Sequence, residues 1–253
     1  MNNMKKTSCV SIVTGTLNRV EYLEALVANT VMSDSRLELV LVDGGSTDGT
    51  IELIEDVINH PRVKLIKHGE RSPYPHYMNL GIRNASHELI CQWNDDVIMT
   101  DHGWQKAFEA LDDEHDAYLF NWKNGTLKDT VNSKWLKCDH IQHNGWCLHN
   151  CADYDYPNPI QGEVVMNYGI YKKKVFRKYG LYNNNYRYYY SDAEMAMRSY
   201  YQGCKFKSLI DVKVCSLPAE KRAIHYRKDR QRYHRDIQSY FNNQFEQEYE
   251  YLR

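Results

Sequence analysis

The sequence has no long apolar run. Nowhere in its 253 residues do about 18 apolar residues follow one another, and the polar start, Met1 to Thr7, lacks an apolar stretch of signal length. It also has no excess of charge, with 32 Lys and Arg against 33 Asp and Glu. Without a global field to attract a polyanion, nucleic acid is a disfavoured partner. We predict a soluble, cytoplasmic protein with no transmembrane segment.

Neither a disulfide pattern nor an internal repeat is present. The seven cysteines are an odd number, and Cys9 and Cys91 lie in apolar, strand-like runs where a thiol behaves as a small hydrophobic side chain. We therefore expect no disulfide framework. No low-complexity linker divides the chain, and its length suits a single domain with a substantial core.

Strand-like apolar segments alternate with helical patterns in the first hundred residues. The strands are SCVSIVTGT, LELVLVD, RVKLIKH and HELICQW. Asn18 and Glu21 form a cap signature for the helix after the first strand. The helix after the second strand is marked by Ile51, Ile54, Val57 and Ile58. This alternation predicts an α/β fold whose mostly parallel sheet is flanked by helices, with Asp43 and Asp96 on the same rim.

The second half is less regular. A helix through Leu111 and a strand at AYLFNW precede a polar stretch from Lys123 to Pro159, and order returns with a helix from about Asp192 to Gln202. Seven of the 21 tyrosines lie between Tyr182 and Tyr201. They indicate either packing of a loop-rich half or an aromatic wall for a sugar.

The segment VDGGSTDGT, residues 42–50, places an acid at a strand end before a turn of small residues. It lacks the Lys of a phosphate-binding loop, and no G-x-G-x-x-G follows the first strand. Simple ATP and dinucleotide sites therefore lose support. A turn of small residues lets backbone approach a ligand before a helix begins, so a nucleoside could lie across it.

Four segments in order resemble glycosyltransferase family 2, enzymes with the GT-A fold. They are VSIVTGTLNRVEYL, LVLVDGGSTDGT, YMNLGIRNASHELICQWNDD and YYYSDAEMAMRSYYQG. The resemblance implies inverting transfer of a sugar from a UDP-, GDP- or dTDP-sugar to an acceptor hydroxyl of a glycan or glycoconjugate. It divides residues 1–217 into a nucleotide-sugar half, 7–101, and an acceptor half, 102–217, followed by a charged helical tail, 218–253.

The resemblance also implies a divalent metal, Mn²⁺ or Mg²⁺, after the fourth strand. Asp96 is the implied ligand and Asp95 a nearby ribose or metal contact. Asn94 replaces the acid of the stricter family motif, although an amide oxygen can still serve as a ligand. Hard oxygen ligands suit such a cation beside a diphosphate leaving group. His225 is a candidate third ligand, because family members commonly supply a His after the last strand.

Further donor contacts follow from the same resemblance. Asp43 matches the family's acid near the nucleoside, whereas the second acid, which often reads the base, is Gly44 here. The first-strand loop supplies four polar candidates: Thr14, Thr16, Asn18 and Arg19. Arg71, after the third strand, is a candidate phosphate contact. Helix capping, turn formation or simple solvation would equally explain several of these residues.

The resemblance assigns the catalytic base to Asp192, with Ser191 where the family usually shows Glu. An inverting transfer needs one carboxylate to take the acceptor proton, and the dipole of a first helical turn should hold Asp192 ionised. Simple N-capping is the alternative role. Glu194 is a second acid in reach, but Arg198 follows it at i+4, so we interpret Glu194 as a structural ion pair.

Two signals and one rival remain outside this scheme. A cluster of zinc-type ligands suits either a structural zinc site or a polar acceptor loop, and its spacing fits no standard zinc finger: Cys138, His140, His143, Cys147, His149 and Cys151. The basic tail could face the donor pyrophosphate, an acidic partner or, as a peripheral contact, an anionic membrane, or it could be a solvated helix face. The departures at Asn94 and Ser191 keep open a noncatalytic sugar- or nucleotide-binding protein with the same fold.

Overall fold

The computed structural model describes residues 8–124, 148–149, 163–164, 168–216, 223–245 and 248–253. The predicted zinc segment, 138–151, lies outside the described residues except for the strand Leu148–His149. That strand, β7, pairs antiparallel with a second short strand, β8, at Glu163–Val164.

The four apolar segments of the first hundred residues form the predicted parallel strands. They are β1 (Val10–Thr16), β2 (Leu37–Asp43), β3 (Val63–Lys67) and β4 (Leu89–Gln92). β1 lies between β2 and β4, with β3 beyond β2, and every pairing among them is parallel. The carboxyl ends of β1, β2 and β4 therefore share one rim.

Later segments extend this sheet and make it mixed. They are β5 (Val97–Met99), β6 (Ala117–Asn124), β9 (Gly169–Lys172) and β10 (Phe206–Ser216). The eight strands follow the order β3-β2-β1-β4-β9-β6-β10-β5. β6 and β10 are parallel, whereas β9 runs antiparallel to β4 and β6, and β5 antiparallel to β10. The predicted α/β class is confirmed.

Helices cover both faces of the sheet. They are α1 (Val20–Asn29), α2 (Thr50–Glu52, continuing as a π-helical segment, Leu53–Ile58), α3 (Tyr74–Asn84), α4 (Gly103–Ala110), α5 (Lys173–Tyr179), α6 (Ser191–Tyr201) and α7 (Ala223–Phe241). Among the described residues, none of these helices combines the length and apolarity that a membrane span requires.

The sheet separates two apolar cores, because strand side chains alternate between its faces. Ile12 and Cys91 enter the core shared with α1 and α4, whereas Val13 and Ile90, each one position along, enter the core shared with α3, α5 and α6. The predicted apolar face of α2 is only partly buried: Ile54 is in the core but Val57 is 71% exposed.

The helix of the predicted tail is part of the second core. Tyr233, Ile237 and Tyr240 of α7 are buried against α6 and its neighbours. The extreme C-terminus returns as well, since the amide of Leu181 donates to the carbonyl of Glu250 at 2.7 Å. Arg227, Lys228 and Arg235 of α7 are exposed while its apolar residues are buried, so the helix is amphipathic rather than solvated all round.

Candidate functional site

The rim of the sheet brings the predicted acidic residues together through β1. Thr16, the last residue of β1, pairs in register with Asp43 of β2. Its hydroxyl donates a 2.9 Å hydrogen bond to Oδ2 of Asp95, which follows β4. The predicted placement of Asp43 and Asp96 on one rim is thereby confirmed.

The loop after β2 closes around the carboxylate of Asp43. This buried side chain accepts hydrogen bonds from the amides of Gly45 (2.8 Å) and Ser46 (3.0 Å). Gly45 has φ +88°, a conformation that glycine adopts without strain. Asp43 thus shapes the turn that would face a nucleoside, while its own oxygens are engaged by backbone.

A second acid of the same loop joins two helices. Asp48 accepts hydrogen bonds from the amide of Val20 (3.0 Å), the first residue of α1, and from that of Thr50 (3.1 Å), the first of α2. One side chain therefore satisfies an N-terminal donor in each helix. Desolvation acts to raise the pKa of this exposed carboxylate, but the hydrogen bonds from Val20 and Thr50 outweigh it and lower the pKa of Asp48.

The prediction that Asn18 caps α1 is wrong. Asn18 has φ +54°, and its side-chain oxygen instead accepts from the amide of Thr47 at 2.8 Å, while its own amide donates to the hydroxyl of Ser46. The chain turns at Asn18 to meet the neighbouring loop, so α1 begins only at Val20. Hydrogen bonds thus join the loop after β1 to the loop after β2.

Tyr77 of α3 lies beneath these two loops. A Cβ atom added to Gly15 would lie 2.8 Å from its ring, and one added to Gly44 would lie 2.3 Å from its hydroxyl oxygen. That hydroxyl accepts from the amide of Ser72 at 2.7 Å and donates to the carbonyl of Glu70. The absence of an acid at position 44 therefore has a steric reason.

Asp95 and Asp96 form a pair of carboxyl groups at the end of β4. Burial, together with the charge of Asp96, raises the pKa of Asp95 to about 7, against the opposing charge of Arg19. Burial also raises the pKa of Asp96, which is 8% exposed, and Arg19 opposes this too. Adjacent carboxylates repel each other, so a nearby cation would favour their charged form.

The residues after β4 fit a divalent cation. Within the part of the chain that the structure describes, Oδ1 of Asp96 is buried and has no hydrogen-bond partner. Asn94 donates its amide N–H to the hydroxyl of Tyr168 at 3.2 Å, which leaves its carbonyl oxygen as the acceptor end of the side chain. Oxygen ligands of this kind suit Mn²⁺ or Mg²⁺.

No cluster of three His, Cys, Asp or Glu able to hold a metal occurs among the described residues. The backbone of His225 lies in the first turn of α7, and its side chain is outside the described part of the structure. Its role as a third ligand therefore stays a prediction. The candidate metal site rests on Asp96, Asp95 and the amide oxygen of Asn94.

The other predicted donor contacts lie around the same loops. Thr14 is buried, and its hydroxyl donates to the carbonyl of Gly15 at 3.2 Å. Arg19 lies over the ring of Tyr22, with its guanidinium carbon 5.0 Å from the ring centroid. Arg71 is exposed. None of these contacts distinguishes a donor-binding role from a structural one, so the assignments stay predictions.

Asp192 lies in the first turn of α6. Burial raises its pKa to about 6, although the amides of Ala193 and of Asp192 itself lower it. Burial thus opposes the effect of the helix dipole, and the expectation that Asp192 is held ionised stays a prediction. A pKa near 6 still leaves the carboxylate largely ionised at neutral pH and suits a base.

The charge of Asp192 acts on three tyrosine hydroxyls, one of which is hydrogen-bonded to the end of β4. Burial raises the pKa values of Tyr74, Tyr171 and Tyr182, and the charge of Asp192 is a further cause for each. The hydroxyl of Tyr74 accepts a 2.6 Å hydrogen bond from Gln92, the last residue of β4. Tyr74 and Gln92, absent from the sequence-based set, thus lie between the end of β4 and the region on which the charge of Asp192 acts.

Glu194 has the structural role that the sequence predicts. Nε of Arg198 lies 2.7 Å from Oε1 of Glu194, and both side chains are fully buried. Tyr240 of α7 donates to the same carboxylate oxygen, and Arg198 donates to the carbonyls of Tyr179 and Leu181. A carboxylate so fully engaged is not free to accept a substrate proton.

The tyrosine-rich segment contributes mainly to packing. Tyr182, Tyr186 and Tyr190 are each at most 7% exposed and belong to the core, while Tyr188 and Tyr189 are partly exposed. The packing interpretation therefore holds for the buried three. Only the partly exposed residues remain available for contact with a sugar ring.

Comparison with known proteins places these features in a family. Residues 11–180 match the model of glycosyl transferase family 2. The mannosyltransferase PcManGT from Pyrobaculum calidifontis, in complex with GDP-Man and Mn²⁺, has a TM-score of 0.66 at 17% identity, covering 96% of this chain and 67% of that one. TarS 1–349 of S. aureus in complex with UDP has a TM-score of 0.68 at 17% identity, covering 94% and 67%.

The same S. aureus protein in complex with UDP-GlcNAc gives a TM-score of 0.63 at 16% identity, covering 84% of this chain and 59% of that one. At such identities the likeness to solved structures shows the fold alone. The comparison with curated protein sequences found no match.

Proposed function

This chain belongs to glycosyl transferase family 2 and has the GT-A fold, and we propose that it transfers a sugar from a nucleotide diphosphate sugar to an acceptor hydroxyl with inversion. The acceptor is a carbohydrate or glycoconjugate. One observation carries the proposal: burial raises the pKa values of two carboxyl groups, Asp96 and Asp192. Asp96 follows β4, and the charge of Asp192 acts on Tyr74, whose hydroxyl is bonded to Gln92 at the end of that strand. Of the two, Asp96 has the surroundings of a metal ligand, because its Oδ1 is buried and has no hydrogen-bond partner among the described residues.

The hydrogen-bonded loops after β1 and β2 favour a nucleotide site at this rim. PcManGT is in complex with GDP-Man, and TarS is in complex with UDP or UDP-GlcNAc. In this chain Gly44 and Gly45 follow Asp43, so the turn presents backbone to a ligand. Thr16 and Arg19 face the same rim beside Asp95. We assign this surface to the donor, a UDP-, GDP- or dTDP-sugar.

Asp96 would hold Mn²⁺ or Mg²⁺, with Asp95 and the amide oxygen of Asn94 beside it. The buried, unpartnered Oδ1 of Asp96 and the raised pKa of its neighbour support this assignment. When bound, the cation would neutralise the charge that develops on the diphosphate leaving group. Thr16 orients Asp95 through the 2.9 Å hydrogen bond from its hydroxyl.

Asp192 is the proposed general base. Its carboxylate takes the proton of the acceptor hydroxyl while that oxygen attacks the anomeric carbon from the face opposite the nucleotide. The new glycosidic bond forms as the bond to the diphosphate breaks, and the configuration inverts. Glu194 takes no part, since its carboxylate is bound to Arg198 and Tyr240.

A binding experiment separates this function from that of a noncatalytic sugar-binding protein. Thermal shift with UDP, GDP and dTDP, each with and without Mn²⁺, should identify one nucleotide whose stabilisation requires the metal. Asp96→Ala should abolish the metal-dependent part while the fold is retained, because the lost oxygen is not bonded within the core. Donor hydrolysis by the wild type then distinguishes an enzyme from a binding protein.

Two results would contradict the metal assignment or the catalytic function. Nucleotide affinity that a chelator leaves unchanged, and that Asp96→Ala shares, would remove the metal assignment. Metal-dependent binding without hydrolysis or transfer for any donor would favour the noncatalytic alternative.

A further inference from the structure

The C-terminal helix α7 carries a buried carboxylate that binds the backbone of another segment. Asp229 is 2% exposed and accepts hydrogen bonds from three consecutive amides, those of Arg187 (3.1 Å), Tyr188 (2.9 Å) and Tyr189 (3.0 Å). Successive backbone N–H groups that converge on one anion form a concave anion-binding site. The charge of Asp229 therefore fixes residues 187–189.

This segment leads directly into α6. Tyr190 has φ +62°, a left-handed conformation that bulky residues rarely adopt, and its own side chain makes no capping hydrogen bond to the helix that follows. The carbonyl of Tyr190 accepts the first helical bond, from the amide of Glu194 at 2.8 Å. Its ring stacks on Tyr233, with centroids 5.2 Å apart, one helical turn beyond Asp229. Two residues of α7, Asp229 and Tyr233, thus hold the entry into α6, residues 187–190.

The opposite side of the segment is bound to the rim. The carbonyl of Arg187 accepts a 2.8 Å hydrogen bond from the amide of Tyr74, the first residue of α3. Tyr74 is also the residue whose hydroxyl binds Gln92 and whose pKa Asp192 helps to raise. Residues 187–189 are therefore held between α7 and the helix beside the candidate base.

We propose that Asp229 is a positioning residue for the base Asp192, acting through the backbone of residues 187–190. Asp192 is two residues beyond the left-handed Tyr190, so the conformation of this entry sets where its carboxylate lies. A displacement of about 1 Å at a reacting group costs on the order of 10²-fold in rate. The inference rests on the proposed function, because it supplies a support for the base named there.

A pair of isosteric variants tests the proposal. Asp229→Asn removes the charge that binds three amides. The matched control is Asp236→Asn, on the same helix, where a carboxylate 6% exposed accepts a 2.7 Å hydrogen bond from the hydroxyl of Tyr186. We expect Asp229→Asn to lower kcat by about tenfold or more with the donor KM within about twofold, and Asp236→Asn to keep kcat within about threefold.

The pH profile adds a readout that a general loss of stability would not move. If the entry to α6 relaxes, Asp192 becomes better solvated and its pKa falls towards the ordinary value of an aspartate. The acid limb of kcat in Asp229→Asn should therefore shift to lower pH. A kcat equal to that of wild type, or an equal loss in Asp236→Asn, would overturn the proposal.

Hydrogen exchange makes the result independent of the proposed reaction. In the wild type, the amides of Tyr188 and Tyr189 should exchange slowly, and in Asp229→Asn they should exchange fast. A wild type without transfer activity would reject the proposed function, while slow exchange would still support the anchoring contact. Fast exchange of these amides in the wild type would reject the anchor, even if Asp229→Asn does not fold.

Discussion

The hydroxyl of Tyr77 lies where a side chain at Gly44 would be, since a Cβ atom on that glycine would lie 2.3 Å from the hydroxyl oxygen. The ring cannot retreat easily, because Tyr77 is buried and its hydroxyl is bonded to Ser72 and Glu70. Gly44→Ala should therefore destabilise the fold by about 1–3 kcal/mol, as overpacking does in other cores. Urea unfolding at equilibrium measures this change.

Tyr77→Phe provides the control for that prediction. Without the hydroxyl, the closest ring carbon to the added Cβ lies at 3.0 Å, so Gly44→Ala should cost less in the Tyr77→Phe background than in the wild type. An additive double-mutant cycle would show that the hydroxyl is not the obstacle.

Asp192→Asn should abolish most transfer while donor binding survives. The amide keeps the size and capping ability of the carboxylate but cannot take a proton, so transfer at saturating donor should fall by roughly 10²-fold or more. Nucleotide binding, measured by calorimetry, should match the wild type. A nearly normal rate would remove Asp192 as the base.

Glu194→Gln should change stability instead of chemistry. It removes the charge that compensates the buried Arg198, and breaking such a pair typically costs about 3–5 kcal/mol. Transfer per folded molecule should stay within a few-fold of wild type at a temperature where the variant is folded. A folded but inactive Glu194→Gln protein would move the base two residues along α6.

The pH dependence of transfer should report Asp192 directly. Its pKa of about 6 predicts that kcat falls with unit slope below about pH 6, as the carboxylate becomes protonated and can no longer accept a proton. Saturating Mn²⁺ and donor keep the acidic pair ionised during the measurement. The residual rate of Asp192→Asn should lack this limb, and a wild-type limb near pH 4 would contradict the burial argument.

Stability without metal should fall as pH rises towards neutrality. The pKa of Asp95 is about 7 in the folded state, raised by burial and by Asp96, so between about pH 4 and 7 the folded chain binds more protons than the unfolded chain. In that window, the free energy of unfolding contributed by this group decreases with pH.

Adding metal and comparing a matched variant isolate the contribution of Asp95 to the pH dependence of stability. Asp95→Asn should match the wild type below about pH 4, where the carboxyl is protonated in both folded and unfolded states, and exceed it in stability at pH 7.5, as measured by denaturant unfolding in chelator. Mn²⁺ should stabilise the wild type more at pH 7.5 than at pH 5, because it displaces protons from the pair. Equal pH slopes for both proteins would show that Asp95 has an ordinary environment.

The sequence by itself determined the features that depend on neighbours along the chain. Apolar segments that alternate with helical patterns predicted β1, β2 and β4, and hence the rim shared by Asp43 and Asp96. The i+4 spacing of Glu194 and Arg198 predicted their ion pair. Four motifs in order predicted the family and fold class.

The tertiary structure decided the features in which distant segments meet. Gly44 is explained by Tyr77, and the double role of Asp48 requires α1 and α2 to start side by side. The antiparallel β9 enters between β4 and β6, although nothing in its own residues names those partners.

In helix α7, some features were predictable from the sequence and others depend on tertiary packing. Its basic residues and helical period are visible in the sequence, whereas the bonds from residues 187–189 to Asp229 exist only because α7 packs against α6. Local patterns are fixed by the geometry of one helix or strand. Contacts across some forty residues depend on how the whole core packs, and one side chain's type does not specify them.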